Sequence, residues 1–122
     1  MKRLTIVVSI VAALAFSAAA LASPTISGKY RATVTKPASS AGTYTLDFKA
    51  NGKGTVTFGS HQLIAKFSFT GTTLTAPGGG GCKTAATYKI KPAGNKLTFK
   101  AVKPDSCIGR KTVLAQTFTK VG

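Results

Sequence analysis

The chain has 122 residues and carries 17 lysines and arginines against two acids, which gives a formal net charge of +15 at pH 7. This length is typical of one small domain. With two acids and a single histidine, the chain lacks the sets of side chains that acid–base pairs, metal sites and Ser-His-Asp triads require. We therefore expect no enzyme, no cofactor and no metal site.

The excess positive charge suggests two kinds of surface. A field of one sign favours anionic partners such as nucleic acid, anionic lipid or envelope polymers. The basic residues are spread singly along the chain rather than clustered, which equally suits a solvated exterior in which lysine provides solubility alone. We expect no specific nucleic-acid partner, and both interpretations of the charge stay open.

The N-terminal segment has the layout of a secretory signal peptide. Lys2 and Arg3 precede an apolar run, and Ala20-Leu21-Ala22 fits the small-x-small rule for cleavage. The sequence predicts a signal peptide over 1–22 and one mature domain over 23–122, secreted to the periplasm or the medium, with no membrane span after cleavage. Removing Lys2 and Arg3 lowers the net charge from +15 to +13. An uncleaved membrane anchor is the alternative, because about twenty apolar residues can span a bilayer.

The chain contains two cysteines, Cys82 and Cys107. In an exported chain of this size they are expected to form one disulfide. In the loop-entropy model, closing a loop of about 25 residues stabilises the fold by roughly 3–4 kcal/mol. A reactive dithiol is the alternative, but neither a Cys-x-x-Cys motif nor a nearby histidine supports it.

Apolar and polar residues alternate along most of the mature chain, which predicts β-strands. Eight strands are expected, over 29–35, 42–50, 54–59, 62–70, 72–76, 84–91, 96–102 and 111–119. Asn51-Gly52 and Thr70-Gly71 are typical of tight hairpin turns, and the glycine-rich run 77–81 can only be loop. No window shows helical spacing.

Short turns between successive strands predict an all-β fold, an eight-stranded antiparallel up-and-down barrel with one disulfide. A two-sheet β-sandwich is the alternative architecture. Lysine outside and apolar residues inside exclude a porin-type membrane barrel, which has the reverse pattern. Nine aromatic side chains are expected to face inward, as a filled core or as the wall of a pocket: Tyr30, Tyr44, Phe48, Phe58, Phe67, Phe69, Tyr88, Phe99 and Phe118. Leu63 and Ala65 are expected to face inward with them.

Three segments resemble a known class of protein. Gly28-Lys29-Tyr30 opens the first strand, Gly42-Thr43-Tyr44 repeats the pattern, and the segment 95–114 contains Pro-Asp-Ser-Cys followed by Arg110. This arrangement is similar to small secreted bacterial proteins of the lipocalin-like (calycin) type. In lipocalins a Gly-x-Trp motif on the first strand packs beneath an arginine near the last strand. The resemblance implies that Tyr30, in place of tryptophan, and Arg110 stack in this way by a cation–π contact.

Asp105 lies in a second structural motif of the same region. Pro104-Asp105-Ser106 has good turn chemistry, because the carboxylate can bond nearby backbone N–H groups. An ion pair with Arg110, five residues further on, is compatible with this turn. Both interpretations assign Asp105 and Arg110 a structural role.

The leading functional hypothesis is a non-enzymatic binding protein, a monomer that takes a small apolar or amphiphilic ligand at the open end of the barrel. The glycine loop at the rim is its best candidate element. The residues expected to contact the ligand are Gly78, Gly79, Gly80, Gly81, Tyr44, Phe67 and Tyr88. One alternative is a basic protein that docks on envelope polyanions. Another is an inhibitor of an extracellular hydrolase, with the freed N-terminus Ser23-Pro24-Thr25 as its active element.

Overall fold

The computed structural model describes residues 25–79 and 81–122. The predicted signal peptide, Ser23, Pro24 and Gly80 lie outside the described residues. The strands are β1 (Gly28–Val34), β2 (Gly42–Phe48), β3 (Lys53–Phe58), β4 (Gln62–Thr70), β5 (Thr73–Ala76), β6 (Ala86–Ala93), β7 (Lys96–Ala101) and β8 (Phe118–Val121). A short 3-10 helix (Ala38–Ser40) follows β1, and one α-helix, α1 (Ile108–Leu114), precedes β8.

The strands form a closed antiparallel barrel in chain order, with β8 paired to β1. The all-β barrel predicted from the alternation is therefore confirmed, and the sandwich alternative is excluded. None of the helices within the described ranges has the length and apolar character needed to cross a membrane.

The two ends of the barrel differ in their connections. At one end, here called the hairpin end, tight turns join β2 to β3, β4 to β5 and β6 to β7. At the other, the loop end, longer segments join β1 to β2, β5 to β6 and β7 to β8. Because side chains and backbone of long connections can cover a barrel mouth, the loop end is where a binding site can form.

The aromatic residues predicted to face inward do build the core. All nine are buried or packed against the buried cluster. Phe48 is central, with edge-to-face rings of Phe67 and Phe69 at centroid distances of 5.1 and 5.0 Å. Gly54 makes room for the Phe67 ring beside β3, since a Cβ at this glycine would stand 2.1 Å from a ring carbon.

The inward face of β4 differs from the expectation at one residue. The register with β3 shifts between Val56 and Thr57, so that Val56 pairs with Ala65 but Thr57 pairs with Leu63. This bulge inserts Ile64 as an extra residue and reverses the alternation beyond it. Leu63, expected to face inward, is consequently 53% exposed.

The expectation of a final strand over 111–119 is also wrong in its first half. Residues Ile108–Leu114 are helical, and β8 begins only at Phe118. A seven-residue helix is too short to be stable by its own propensity. It forms because Leu114 is buried against the barrel and because Cys107, at its N-cap, is held by the disulfide.

The bulge yields a direct test with one matched pair of substitutions. Leu46 is 1% exposed and Leu63 is 53% exposed. Leu46→Ala is expected to lower the free energy of unfolding by about 2–5 kcal/mol, because it leaves a cavity in the core. Leu63→Ala is expected to change it by no more than about 0.5 kcal/mol. Urea denaturation measures both, and equal losses would show that Leu63 is a core residue after all.

Candidate functional site

A cavity of about 420 Å³ lies inside the loop end of the barrel. Its floor is apolar and includes Tyr44, Leu46, Phe67 and Leu74, all of them buried. This volume lies within the range of about 300–1,000 Å³ that is usual for small-molecule sites, which are also mostly apolar. The loop end can therefore hold a small ligand, whereas the hairpin end is filled by aromatic rings.

Helix α1 lies over this cavity and forms its lid. Gly109, Arg110, Val113 and Leu114 line the cavity. These positions lie on one face of the helix, because residues three and four apart share a side. The short 3-10 helix contributes Ser40 at the rim, where the Tyr44 hydroxyl donates a hydrogen bond to the Ser40 carbonyl oxygen at 2.8 Å.

The glycine-rich loop forms the opposite rim. Gly78, Gly79, Gly81 and Cys82 line the cavity, and Gly80 lies outside the described residues. The loop turns tightly, because the Cys82 N–H donates to the Gly79 carbonyl oxygen at 3.0 Å and the Gly79 N–H donates back to the Cys82 carbonyl oxygen. The backbone of this rim is thus organised by its own hydrogen bonds.

The disulfide joins the rim to the lid. Cys82 at the end of the loop is bonded to Cys107 at the start of α1, with Cα atoms 5.3 Å apart. The predicted pairing is confirmed. The bridge holds together the two segments that border the cavity, which gives it a role in shaping the site as well as in stabilising the fold.

A buried ion pair holds the lid to the segment that precedes it. Arg110 donates from Nη2 to Asp105 Oδ1 at 2.7 Å and from Nε to Asp105 Oδ2 at 2.8 Å, a bidentate geometry. Arg110 Nη2 also donates to the Thr84 carbonyl oxygen at 2.9 Å. The Asp105 side chain is 1% exposed and that of Arg110 10%. The turn expected at Asp105 is present too, since its Oδ1 accepts a hydrogen bond from the Cys107 N–H at 3.0 Å.

Tyr88 completes this cluster from strand β6. Its hydroxyl donates a hydrogen bond to Asp105 Oδ2. The guanidinium of Arg110, hydrogen-bonded to Asp105, holds the pKa of that carboxyl well below its usual range. Burial, followed by the hydrogen bond to Asp105, raises the pKa of Tyr88 above its usual range. At neutral pH the cluster therefore contains one carboxylate, one guanidinium and one neutral phenol.

Two expectations about these residues need correction. Tyr88 does not line the 420 Å³ cavity; it borders a smaller one of about 280 Å³ with Asp105 and Phe99. The lipocalin-type stack of Arg110 on Tyr30 is absent from the described contacts, because Arg110 is bound to Asp105. The cation over the Tyr30 ring is Lys120, whose Nζ lies 5.7 Å from the ring centroid.

Some cavity residues had no signal in the sequence. Ile64 and Lys66 line the cavity because the bulge and the short β5 expose this part of β4. Val113 lines it because its segment is helical. His61 is exposed at the turn between β3 and β4, and within residues 25–79 and 81–122 no group of three His, Cys, Asp or Glu side chains could hold a metal ion.

A second surface feature lies outside the barrel, on β6 and β7. Lys89 and Lys100 stand directly opposite each other in the register, and both are exposed. Lys91 and Lys96 extend the same exposed side of these strands. These four lysines are called the basic face. Like charges placed opposite on neighbouring strands are destabilising, and the chain has too few acids to neutralise them.

Comparisons with known proteins do not assign the chain to a family. No protein-family model matches it, and neither a curated protein nor a solved structure matches it. The cavity with its lid and the basic face are therefore the features from which a function can be inferred.

The Asp105 cluster makes the stability of the protein acid-sensitive in a defined direction. A carboxyl whose pKa is lowered by folding stabilises the protein above its unfolded pKa of about 3.9. That stabilisation is lost as the pH falls from about 5 toward the lower folded pKa. D105N is expected to cost about 3–5 kcal/mol near neutral pH by leaving Arg110 buried without its charge partner, and its deficit should shrink on acidification.

Thermal unfolding of both proteins between about pH 7 and pH 2 measures this difference. Asp47→Asn is the control, because it removes the other acid of the chain and leaves the cluster intact. It should retain the acid-dependent loss of stability that the wild type shows. A D105N variant that loses stability with acid as steeply as the wild type would place the dependence elsewhere.

Proposed function

We propose that the protein is a secreted, lipocalin-like binding protein that takes a small apolar or amphiphilic ligand in the loop-end cavity. The single observation that carries this proposal is the 420 Å³ apolar cavity itself, in a barrel whose other end is filled. Small closed barrels are a common scaffold for such sites, because eight strands enclose a space just wide enough for side chains or one ligand. The disulfide is in keeping with an oxidising compartment.

The lining supports an amphiphile better than a purely polar molecule. The floor is aliphatic and aromatic, and polar groups are confined to the rim, where Ser40, Lys66 and Arg110 lie. The apolar part of a ligand would be buried against Leu46, Phe67 and neighbouring side chains. This burial would stabilise the complex by about 25 cal/mol per Å² of apolar area removed from water. A polar end would remain at the rim, near water.

Binding of the neutral dye N-phenyl-naphthylamine, whose fluorescence rises in apolar surroundings, tests the proposal. Ala76 lines the cavity, and its neighbour Thr75 is exposed on the opposite face of β5. Ala76→Phe should reduce dye binding at least about tenfold by filling the cavity. Thr75→Phe adds the same ring outside and should leave binding unchanged.

A neutral dye is chosen so that the positive surface contributes little to the signal. Circular dichroism of both variants controls for folding. If the wild type and Ala76→Phe are both folded and bind the dye equally, the dye binds outside the cavity. Dye binding would then no longer support a ligand site in the cavity.

We infer a second function from the basic face, namely docking on an anionic polymer such as those of the cell envelope. The specific observation is the Lys89–Lys100 pair, two like charges held opposite each other at a cost that an anionic partner would offset. Within residues 25–79 and 81–122, Lys89 Nζ has one hydrogen-bond partner, the Thr73 hydroxyl at 3.2 Å, and its other two N–H donors can bond an anion. The inhibitor hypothesis stays a prediction, since Ser23 and Pro24 lie outside the described residues.

Dextran sulfate is a suitable polyanion probe for this second function. Wild-type binding should weaken steeply with salt, and K89Q/K100Q should make the slope of log affinity against log salt shallower by roughly one to two. The matched control is K36Q/K49Q, which removes two exposed lysines elsewhere. Equal slopes for the two double variants would indicate binding to overall charge and not to the basic face.

A further inference from the structure

The barrel wall has a gap between β4 and β5. β4 pairs with β3 over most of its length, from Gln62 to Ser68. It pairs with β5 only over Ser68, Phe69 and Thr70. Beyond Ala76 the chain leaves the sheet for the glycine-rich loop. Residues 62–66 therefore have no strand beside them on this side among the described residues, and this part of β4 is called the open edge.

The backbone of the open edge presents groups that can bond a further strand. The Phe69 N–H donates to the Gly52 carbonyl oxygen, on the β3 side, at 2.8 Å. Backbone groups of successive strand residues point to alternate sides. Counting back from Phe69, the N–H and C=O of Lys66 consequently point away from β3, into the gap. No backbone partner for them occurs in the described part of the chain.

The side chains of the open edge are unusually exposed for a barrel strand. Leu63 is 53% and Ile64 47% exposed, and they are two of the four large apolar side chains that the described residues leave at the surface. Ala65 and Lys66 are exposed as well. A partly apolar strand with one free edge is a template for pairing with another chain.

Two features of the open edge oppose pairing with a second copy of this protein. Lys66 lies in its middle, and the bulge at Ile64 distorts the strand; both are devices by which natural edges avoid self-association. Two copies would also repel each other, because each carries a net charge of +15 with the predicted signal peptide or +13 without it. An acidic partner avoids the two obstacles that come from charge, because it is attracted both by Lys66 and by the net positive charge.

We propose that the open edge of β4 binds an extended, acidic polypeptide segment by strand addition. The partner strand exchanges main-chain hydrogen bonds with Lys66, and its carboxylates lie near Lys66 and the surrounding positive surface. The charge complementarity is strong because the chain has only two acids, of which Asp105 is neutralised by Arg110. The open edge borders the cavity, because Ile64, Ala65 and Lys66 also line it. The partner strand bonds to the backbone edge of β4, however, and does not need a ligand in the cavity.

A capped peptide of alternating glutamate and valine is the probe, with its lysine-for-glutamate counterpart as the charge control. The wild type should bind the acidic peptide and not the basic one. Lys66→Gln removes the charge and keeps the N–H, whereas Lys66→Pro removes both. Proline is tolerated on an edge whose N–H faces solvent. Because Lys66→Pro loses one main-chain hydrogen bond to the peptide, its affinity for the acidic peptide should be at least about fivefold lower than that of Lys66→Gln.

Amide hydrogen exchange of the wild type gives a second readout that needs no variant. The acidic peptide should slow exchange at Lys66 and leave the amides of β6 and β7 unaffected. Equal peptide affinities of Lys66→Gln and Lys66→Pro, with no protection at Lys66, would overturn the proposal.

Other occupants give distinct results. Loss of peptide binding in K89Q/K100Q but not in Lys66→Pro would move the site to the basic face and overturn the proposal. A doubled mass in sedimentation, abolished by Lys66→Pro, would show a second copy at the open edge and would also overturn it. Uptake of N-phenyl-naphthylamine is measured on the wild type, because Lys66 also lines the cavity. Dye uptake by the wild type without binding of the acidic peptide would be a failure of the open edge alone.

Discussion

The carboxylate of Asp105 is the interaction on which the loop end depends. It accepts hydrogen bonds from Tyr88 on the barrel wall, from the Cys107 N–H at the start of the lid, and from Arg110 within the lid. Arg110 in turn reaches the Thr84 carbonyl oxygen beyond the glycine loop. Because one buried charge joins the wall, the rim and the lid, removing it would disturb all three at once, whereas the disulfide secures only the rim and lid.

The difference between the two barrel ends has a simple steric cause. Near the hairpin end, Phe48, Phe67 and Phe69 fill the interior with rings in edge-to-face contact. Near the loop end, the cavity-lining residues of the neighbouring strands β4 and β5 include Ala65 and Ala76, whose small side chains leave this part of the interior unfilled. The helix covers this space without filling it. The same small residues and the divergence of the chain after Ala76 leave the wall open beside β4.

Much of this architecture could be predicted because it is local. Strict alternation placed seven strands within a few residues of their observed bounds, and the turn residues located the hairpins. Gly78, Gly79, Gly81, Tyr44 and Phe67, which were expected to contact a ligand, line the cavity, and their contact with a ligand stays a prediction. The bulge at Ile64 could not be predicted, because an extra residue in a strand changes no propensity and is decided by pairing with β3. For the same reason Leu63 was expected to face inward, whereas it is exposed.

The amino-acid sequence by itself determined the strand periodicity, the closed all-β class, the disulfide and the strongly positive surface, since each depends on residue type and spacing alone. Only the tertiary structure decided that 108–114 is a helix, that Arg110 pairs with Asp105 rather than stacking on Tyr30, and that β4 keeps an open edge. These outcomes arise from contacts between segments distant in the chain. A short helix, a buried charge and a free edge each depend on which other segment packs against them in the folded protein. The alternation of residues along one strand does not indicate which segment that is.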